Sequence, residues 1–171
     1  MTDIHIEEEK ADLDVVAREH GAGIIKYCYS LLWDYHEAQD AAQNVFLAAT
    51  ANINSIRDTQ NVRYWLYRVA YNTCMDMLRR RSRANRLSGR EIINMQHYTD
   101  CYNFGISEEL QSALDTLSPK DRALVYSRAV DELEYDKLSE IYGAKPAALR
   151  KRYERARRKL EQELRKGGYQ S

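Results

Sequence analysis

The sequence predicts an all-α fold of two small helical domains joined by a flexible linker, with a helix-turn-helix in the second domain. Three observations point there. Apolar residues recur every three or four positions along most of the chain, the period of a helix that buries one face. Only 2 Pro and 7 Gly occur in 171 residues, too few for the turn every roughly 8–12 residues that a sandwich of short strands needs. The periodicity lapses over residues 91–107 (EIINMQHYTDCYNFGIS), leaving a stretch on either side long enough for a small domain. With 44% hydrophobic and 30% charged residues, the composition is that of a core-forming chain, not a disordered or collagenous one.

Each element has its own signal. Leu13, Val16 and Ala17, then Ile24, Ile25, Cys28, Leu31 and Leu32, follow helical spacing, and Gly21 and Gly23 predict a break between two helices. The next helix is expected from about His36 to Ile53, with Ala38, Ala42, Val45, Ala49 and Ile53 as its buried stripe. Asp40, Gln43, Asn44 and Leu47 then face outward. A turn around 54–60 leads into a helix over Val62–Arg81, where Leu66, Val69, Thr73 and Met77 repeat and Trp65 and Ala70 widen the stripe. Order resumes near Glu108 with Leu110, Ala113, Leu114 and Leu117. Ser118-Pro119-Lys120-Asp121 reads as a helix start, with a hydroxyl at the cap, Pro at the first position and a carboxylate at the third. That helix is expected to end near Val130. Leu133–Tyr142 reads as a short helix stopped by Gly143, a residue suited to a left-handed terminus. Ala144 and Lys145 turn the chain, and Pro146 opens a last helix to about Lys166. On it Leu149, Tyr153, Ala156, Leu160 and Leu164 share one face, while Ala147, Lys151, Glu154, Arg155, Arg158 and Gln162 point the other way.

Net charge is zero, with 26 basic and 26 acidic residues, but the charges are segregated. Residues 1–60 and 91–142 each carry a balance of −7, and residues 61–90 and 143–171 each carry +7. Two basic blocks, each on a helix with an apolar stripe, suggest two separate contacts with a polyanion such as DNA or RNA. Tyr64, Trp65, Tyr67 and Tyr71 interleave with arginines in the first block, the combination that single-stranded nucleic acid binding uses. The outward face of the last helix has the form of a recognition helix for a major groove.

Other classes find little support. Cys28, Cys74 and Cys101 are widely spaced and read as reduced, half-buried thiols, and His97 with Cys101 makes a poor zinc site, so no metal is expected. His5, His20, His36 and His97 lack a recurring nucleophile or carboxylate partner, and no Gly-rich phosphate loop occurs. Neither enzymatic activity nor a cofactor is expected. The longest uncharged run, Ala41–Ile56, is broken by Gln43, Asn44, Asn52 and Asn54, so no membrane insertion is expected. The acidic N-terminal residues lack the apolar segment of a signal peptide, which predicts a cytoplasmic protein.

Several segments, in order, resemble those of one family. Asp40-Ala-Ala-Gln43-Asn-Val-Phe46-Leu resembles a D-x-x-Q-E-x-F-L segment. Trp65-Leu-Tyr-Arg68-Val-Ala-Tyr-Asn72-x-x-x-Asp76-x-Leu78-Arg79-Arg80 resembles W-L-x-R-I-A-x-N-x-x-x-D-x-L-R-R. Leu117-Ser-Pro, Leu133-Glu-Tyr135-Asp-Lys-Leu138-Ser-Glu140-Ile141 and Arg150-Lys-Arg152-Tyr-Glu-Arg155-Ala156-Arg157 resemble the segment that reads the promoter −35 element. From about Leu13 to Leu164, linker excluded, the chain is similar to bacterial sigma factors of the extracytoplasmic-function group, the small two-domain members of the sigma-70 family.

The resemblance implies a sigma factor that binds core RNA polymerase and directs promoter-specific transcription initiation at −10 and −35 elements. Residues 1–90 would form the domain for core polymerase and the −10 element, 91–107 the linker, and 108–171 the helix-turn-helix domain for the −35 element. Asp40, Gln43, Asn44, Phe46 and Leu47 would meet core polymerase. Arg63, Tyr67, Tyr71, Asn72, Arg79 and Arg80 would meet the −10 DNA, Asn72 as reader of a flipped base. Ala147, Ala148, Arg150, Lys151, Glu154, Arg155 and Arg158 would meet the −35 DNA. Promoter DNA and core polymerase are the expected partners, with an anti-sigma factor a further candidate. The chain departs from the family pattern at Asn44, usually Glu, at Ala147-Ala148, usually Gly-Thr, and at Glu154, commonly small or apolar. The other readings are a helix-turn-helix regulator acting on duplex DNA without polymerase, and a helical adaptor. The adaptor leaves both basic blocks without a task.

Overall fold

The computed structural model describes residues 12–52, 56, 59–89 and 105–168. Seven helices make up the described residues: α1 (Leu13–Leu32), α2 (Tyr35–Asn52), α3 (Thr59–Ser88), α4 (Glu108–Asp115), α5 (Pro119–Ala129), α6 (Tyr135–Tyr142) and α7 (Pro146–Lys166). Apart from residues 105–107, the expected linker lies outside the described residues, as do Ile53, His97 and Cys101.

The predicted break in the first segment does not occur. α1 runs unbroken through Gly21 and Gly23, because a helix tolerates glycine when its flanking turns are held by buried contacts. Val16 and Ile24 are buried on either side, and that packing outweighs the roughly 1 kcal/mol that each glycine costs relative to alanine. α1 instead ends at Trp33, held in the left-handed region at φ 53° with its N–H on the Tyr29 carbonyl. Asp34 then accepts the Glu37 N–H at 2.9 Å, meeting one of the unpaired donors at the start of α2.

Starts and stops in the second half follow the sequence signals. Ser107 caps α4 by accepting from Leu110 N. Ser118 accepts from Asp121 N, Pro119 follows it, and α5 ends at Ala129. The short helix begins at Tyr135, two residues later than the apolar pattern suggests, since Leu133 is buried from the loop before it. Gly143 at φ 65° stops α6, and Pro146 opens α7 three residues on. α6, that turn and α7 form the helix-turn-helix.

α1, α2 and α3 pack against one another, with Ala38, Ala41, Ala42, Val45 and Ala49 turned inward from α2. The small residues let the helix backbones approach closely. On α3 the buried row is Val62, Leu66, Ala70 and Cys74, whereas Val69, Thr73 and Met77 are only half-buried. α3 is longer than predicted and its fully buried face lies one residue round from the predicted stripe. Cys28 and Cys74 are fully buried rather than half-buried, and the adjoining Cys28 thiol, then burial, push the Cys74 thiol well up.

The halves do not stand apart. One apolar core runs from α1–α3 into Ala123, Leu124, Leu133, Leu138, Ile141 and Leu149, and a smaller cluster of Leu117, Val125 and Ala156 lies between α5 and α7. α5 packs on α1 and α6 on α3. At the first seam the side chain of Arg122 is 8% exposed; it donates to the carbonyls of Ser30 (3.0 Å), Leu31 (3.1 Å) and Leu117 (3.0 Å). Its guanidinium also lies 5.4 Å from the centre of the Trp33 ring. Where the end of α6 meets α1, the Tyr142 hydroxyl sits 2.9 Å from that of Tyr27; within the second half it sits 2.7 Å from Ser127 Oγ and donates to the Ala123 carbonyl at 3.0 Å.

Two stability outcomes follow. A methyl group at Gly21 would meet no atom within 4 Å, so Gly21→Ala should raise stability by about 0.5–1 kcal/mol in urea unfolding. Arg122→Ala should cost about 3 kcal/mol through buried carbonyls left without a donor, and Arg122→Lys should recover only part of it, because an ammonium cannot span three carbonyls as a planar guanidinium does.

Candidate nucleic-acid and polymerase interfaces

Three surfaces carry the residues singled out by the sequence. The first is the outer face of α2. With the alanine stripe buried, Asp40, Gln43, Asn44 and Leu47 are all exposed, and Leu47 is 62% exposed. Phe46 does not share that face; it is half-buried and packs on the core. Leu47 is a single exposed aliphatic side chain among polar residues, which is ordinary for a surface, so the task of this face rests on the segment's resemblance.

The second surface is the outer face of α7. Leu149 and Ala156 are buried, and Tyr153 and Leu160 lean on the Leu117–Val125 cluster. Arg152 bonds Asp121 of α5 at 2.5 Å, and Lys159 donates to the Thr116 carbonyl. Anchored on that side, α7 exposes all of Ala147, Ala148, Arg150, Lys151, Glu154, Arg155 and Arg158. Arg150 lies 5.1 Å from the centre of the Tyr135 ring of α6, a cation–π contact between the two helices. Lys145 precedes the helix and no side chain caps its first turn, so its N–H groups are left for an anion. Glu154 forms no ion pair among the described residues. A carboxylate on such a face repels phosphate but can accept from a cytosine amino group.

The third surface, on α3, is divided. Asn72, Arg79 and Arg80 are exposed, with Arg79 held 3.2 Å from Asp76. Arg63, Tyr67 and Tyr71, spaced by four residues, turn instead toward α5 and α6. Arg63 donates to the Asp131 carbonyl at 3.1 Å and its guanidinium lies 3.7 Å from the carboxylate. Tyr67 is buried, its ring edge-on to Tyr27 at 4.9 Å. Burial, then the nearby negative charge of Asp131, push its hydroxyl far above the usual range. Burial also raises the Asp131 carboxyl, against the opposing pull of the Tyr67 hydroxyl and Arg63. Tyr71 packs edge-on to Tyr142 at 4.8 Å. Trp65, read from the sequence as core, is half-buried and lines a cavity of about 160 Å³ with Asn61, Tyr64, Arg68, Glu140 and Ile141.

Arg122, Asp131 and Tyr142 were not found from the sequence. None lies off the apolar period in a way that marks it, and Arg122 in the first turn of α5 reads like any solvated arginine. The signal that bears on them is the opposed charge of residues 61–90 and 91–142. Among the described residues no cluster of three metal-ligating side chains occurs, and no helix is long and apolar enough to cross a membrane.

Comparison with known proteins matches the two parts of the chain to two family segments. The Sigma-70 region 2 family matches residues 16–84, and the Sigma-70, region 4 family matches residues 107–160. The chain is 28% identical over 162 residues to the ECF RNA polymerase sigma factor SigE of Mycolicibacterium smegmatis, covering 90% of this chain and 62% of that protein. It is 29% identical over 157 residues to the ECF RNA polymerase sigma factor SigW of Bacillus subtilis, covering 83% of each. Among solved structures it matches the co-crystal structure of the sigma factor RpoE in complex with the anti-sigma factor NepR from Bartonella quintana. That match has a TM-score of 0.76 at 22% identity, over 90% of this chain and 97% of the other.

The division of α3 has a measurable counterpart. Tyr67→Ala should cost about 3–5 kcal/mol, because a buried ring packed edge-on to Tyr27 is lost. Asn72→Ala should leave thermal unfolding within about 0.5 kcal/mol of the parent, as expected of an exposed helical position.

Proposed function

Because this chain belongs to the sigma-70 family of transcription initiation factors, in its extracytoplasmic-function group, we infer that it binds core RNA polymerase and directs initiation at promoters read through −10 and −35 elements. The observation that carries this reading is the α7 face, where every assigned −35 position is exposed on a helix whose other face is anchored. Lys151 and Arg155, one turn apart near its N-terminal half, have the reach and donors for base edges. An arginine that meets guanine bidentately contributes about 1–3 kcal/mol of discrimination. Arg150 and Arg158 suit phosphates, which position without carrying sequence.

Residues 1–90 supply the polymerase and −10 contacts, and residues 108–171 supply the −35 contact. On the first, Asp40, Gln43 and Leu47 form the docking face for polymerase, with Asn44 at its rim and Phe46 supporting it from behind. Asn72 presents an amide donor and acceptor to an unpaired base, while Arg79 and Arg80 hold the backbone beside it. Arg63, Tyr67 and Tyr71 lie on the other side of α3, engaged by α1, α6 and the loop before α6, so they fall outside that exposed path. Polymerisation chemistry belongs to the core enzyme, so the chain acts without catalysis of its own, in the cytoplasm where polymerase works. The RpoE relative is held by an anti-sigma factor, and a partner of that class is the further candidate here. A helix-turn-helix regulator working without polymerase would leave the exposed Leu47 face of α2 without a task.

Replacing Asp40, Gln43 and Leu47 together by Ala should weaken capture of core polymerase while helix content stays unchanged by circular dichroism. A folded triple variant that retains full capture would remove α2 from the interface. In run-off transcription from promoters randomised at each element, Arg155→Ala should relax preference only at −35 and Asn72→Ala only at −10. Both variants altering the same element would overturn the two-site reading.

A further inference from the structure

The outer face of α7 carries one acid among its bases, and that carboxylate is exposed. Glu154 has Arg150 and Arg158 one turn to either side and Lys151 three residues before it, the spacings at which a helix forms ion pairs. The other acids of α7 use such partners: Glu161 bonds Arg157 at 3.1 Å and Glu163 bonds Lys166 at 2.7 Å. Glu154 forms no ion pair among the described residues, and Arg150 instead lies 5.1 Å from the centre of the Tyr135 ring. An unpaired carboxylate among arginines weakens the attraction to every duplex alike, so its effect on DNA is a loss unless a base meets it with a donor. The helix can bring it to one. Ala147 and Ala148 end at Cβ, which lets the first turn sit low in a major groove, and Glu154 lies two turns further on, on the side of Ala147 and Lys151.

A major groove offers a carboxylate few choices. Guanine presents two acceptors, thymine an acceptor and a methyl group, and adenine an acceptor beside its amino donor; cytosine alone presents only a donor. An ionised carboxylate can only accept, so three of the four bases set an acceptor against it. We propose that Glu154 is a specificity-determining residue of the −35 contact: it accepts from the N4 amino group of a cytosine and fixes that position of the element as C. Arg155, next to it on the helix, and Lys151 supply the donors that neighbouring guanine edges require. The carboxylate thus weakens binding to all duplexes while sharpening the choice among them. This proposal rests on the −35 role of α7 given above and names one base within it.

The test uses the full chain assembled with core polymerase and a pool of duplex promoters randomised across the −35 element, sequenced before and after selection at fixed salt. The parent should enrich C at one position by about 5- to 150-fold over the other bases, the span of a single base contact. Glu154→Gln should move that position toward A, since an amide matches the adenine N6 and N7 pair. Glu154→Ala should level the position and bind an unrelated duplex more tightly than the parent does. Both variants should keep the parent's helix content, because Glu154 is exposed and unpaired. A parent pool in which no position favours C overturns the proposal, as does a Glu154→Ala protein that leaves every preference in place or shifts affinity for all sequences alike. Arg155→Ala, selected in parallel, keeps the two readings apart. If it relaxes a −35 position while both Glu154 variants select as the parent does, only the cytosine assignment is lost. If all three select as the parent does, from a pool the parent discriminates, α7 is not the −35 reader and both readings fall.

Discussion

The C-terminus of α1 has a problem that any helix has: its last carbonyls lack intrahelical donors and carry partial negative charge. Here the answer comes from elsewhere in the sequence. Trp33 N–H returns to Tyr29, Arg122 of α5 donates to Ser30 and Leu31, and Arg81 of α3 donates to Leu32. Arg81 also pairs with Glu37 at the start of α2. A single helix end thus fixes where α2 begins, how the distal part of α3 lies and where the second half docks. Arginine suits the position because it stays charged while buried and its fork reaches several acceptors at once. The arrangement is sensitive for the same reason, since loss of one guanidinium strands carbonyls in a place water does not reach.

Charge segregation serves two ends in this chain. Blocks of opposite sign alternate along the sequence with no net charge overall, and folding brings acidic 131–140 against basic α3. The outer face of α7 stays uncovered, so the two surfaces proposed for nucleic acid are not equivalent: one is open to solvent, and the other is partly engaged within the molecule.

Much of the fold was legible because it depends on local rules. The Ser118-Pro119 start, the Gly143 stop and the Leu149–Ala156 face each follow from residues a few positions apart, and the exposed sets on α2 and α7 follow from the opposite faces. The Gly21–Gly23 reading failed because tertiary burial of Val16 and Ile24 overrides a modest local penalty. On α3 the stripe was read one residue off because that helix is packed on two sides, by α1 and α2 and by α6, so no single face is purely apolar. The roles of Arg122, Asp131 and Tyr142 were invisible because the partners that tie the halves together lie up to 115 residues away, and a period detects only neighbours. Assigning Arg63, Tyr67 and Tyr71 together with Asn72 grouped residues on two sides of one helix.

The Tyr142 hydroxyl has one hydrogen and three close partners. A carbonyl can only accept, so that hydrogen goes to Ala123, and Tyr27 and Ser127 must both donate to the Tyr142 oxygen. Every proton in the cluster therefore has a fixed direction. Withdrawing α5 and α6 together from α1 breaks only the Tyr27 bond of the cluster, because Ser127 and Ala123 travel with Tyr142. Parting the halves at this seam therefore costs one buried hydrogen bond, while the two that tie α6 to α5 stay made.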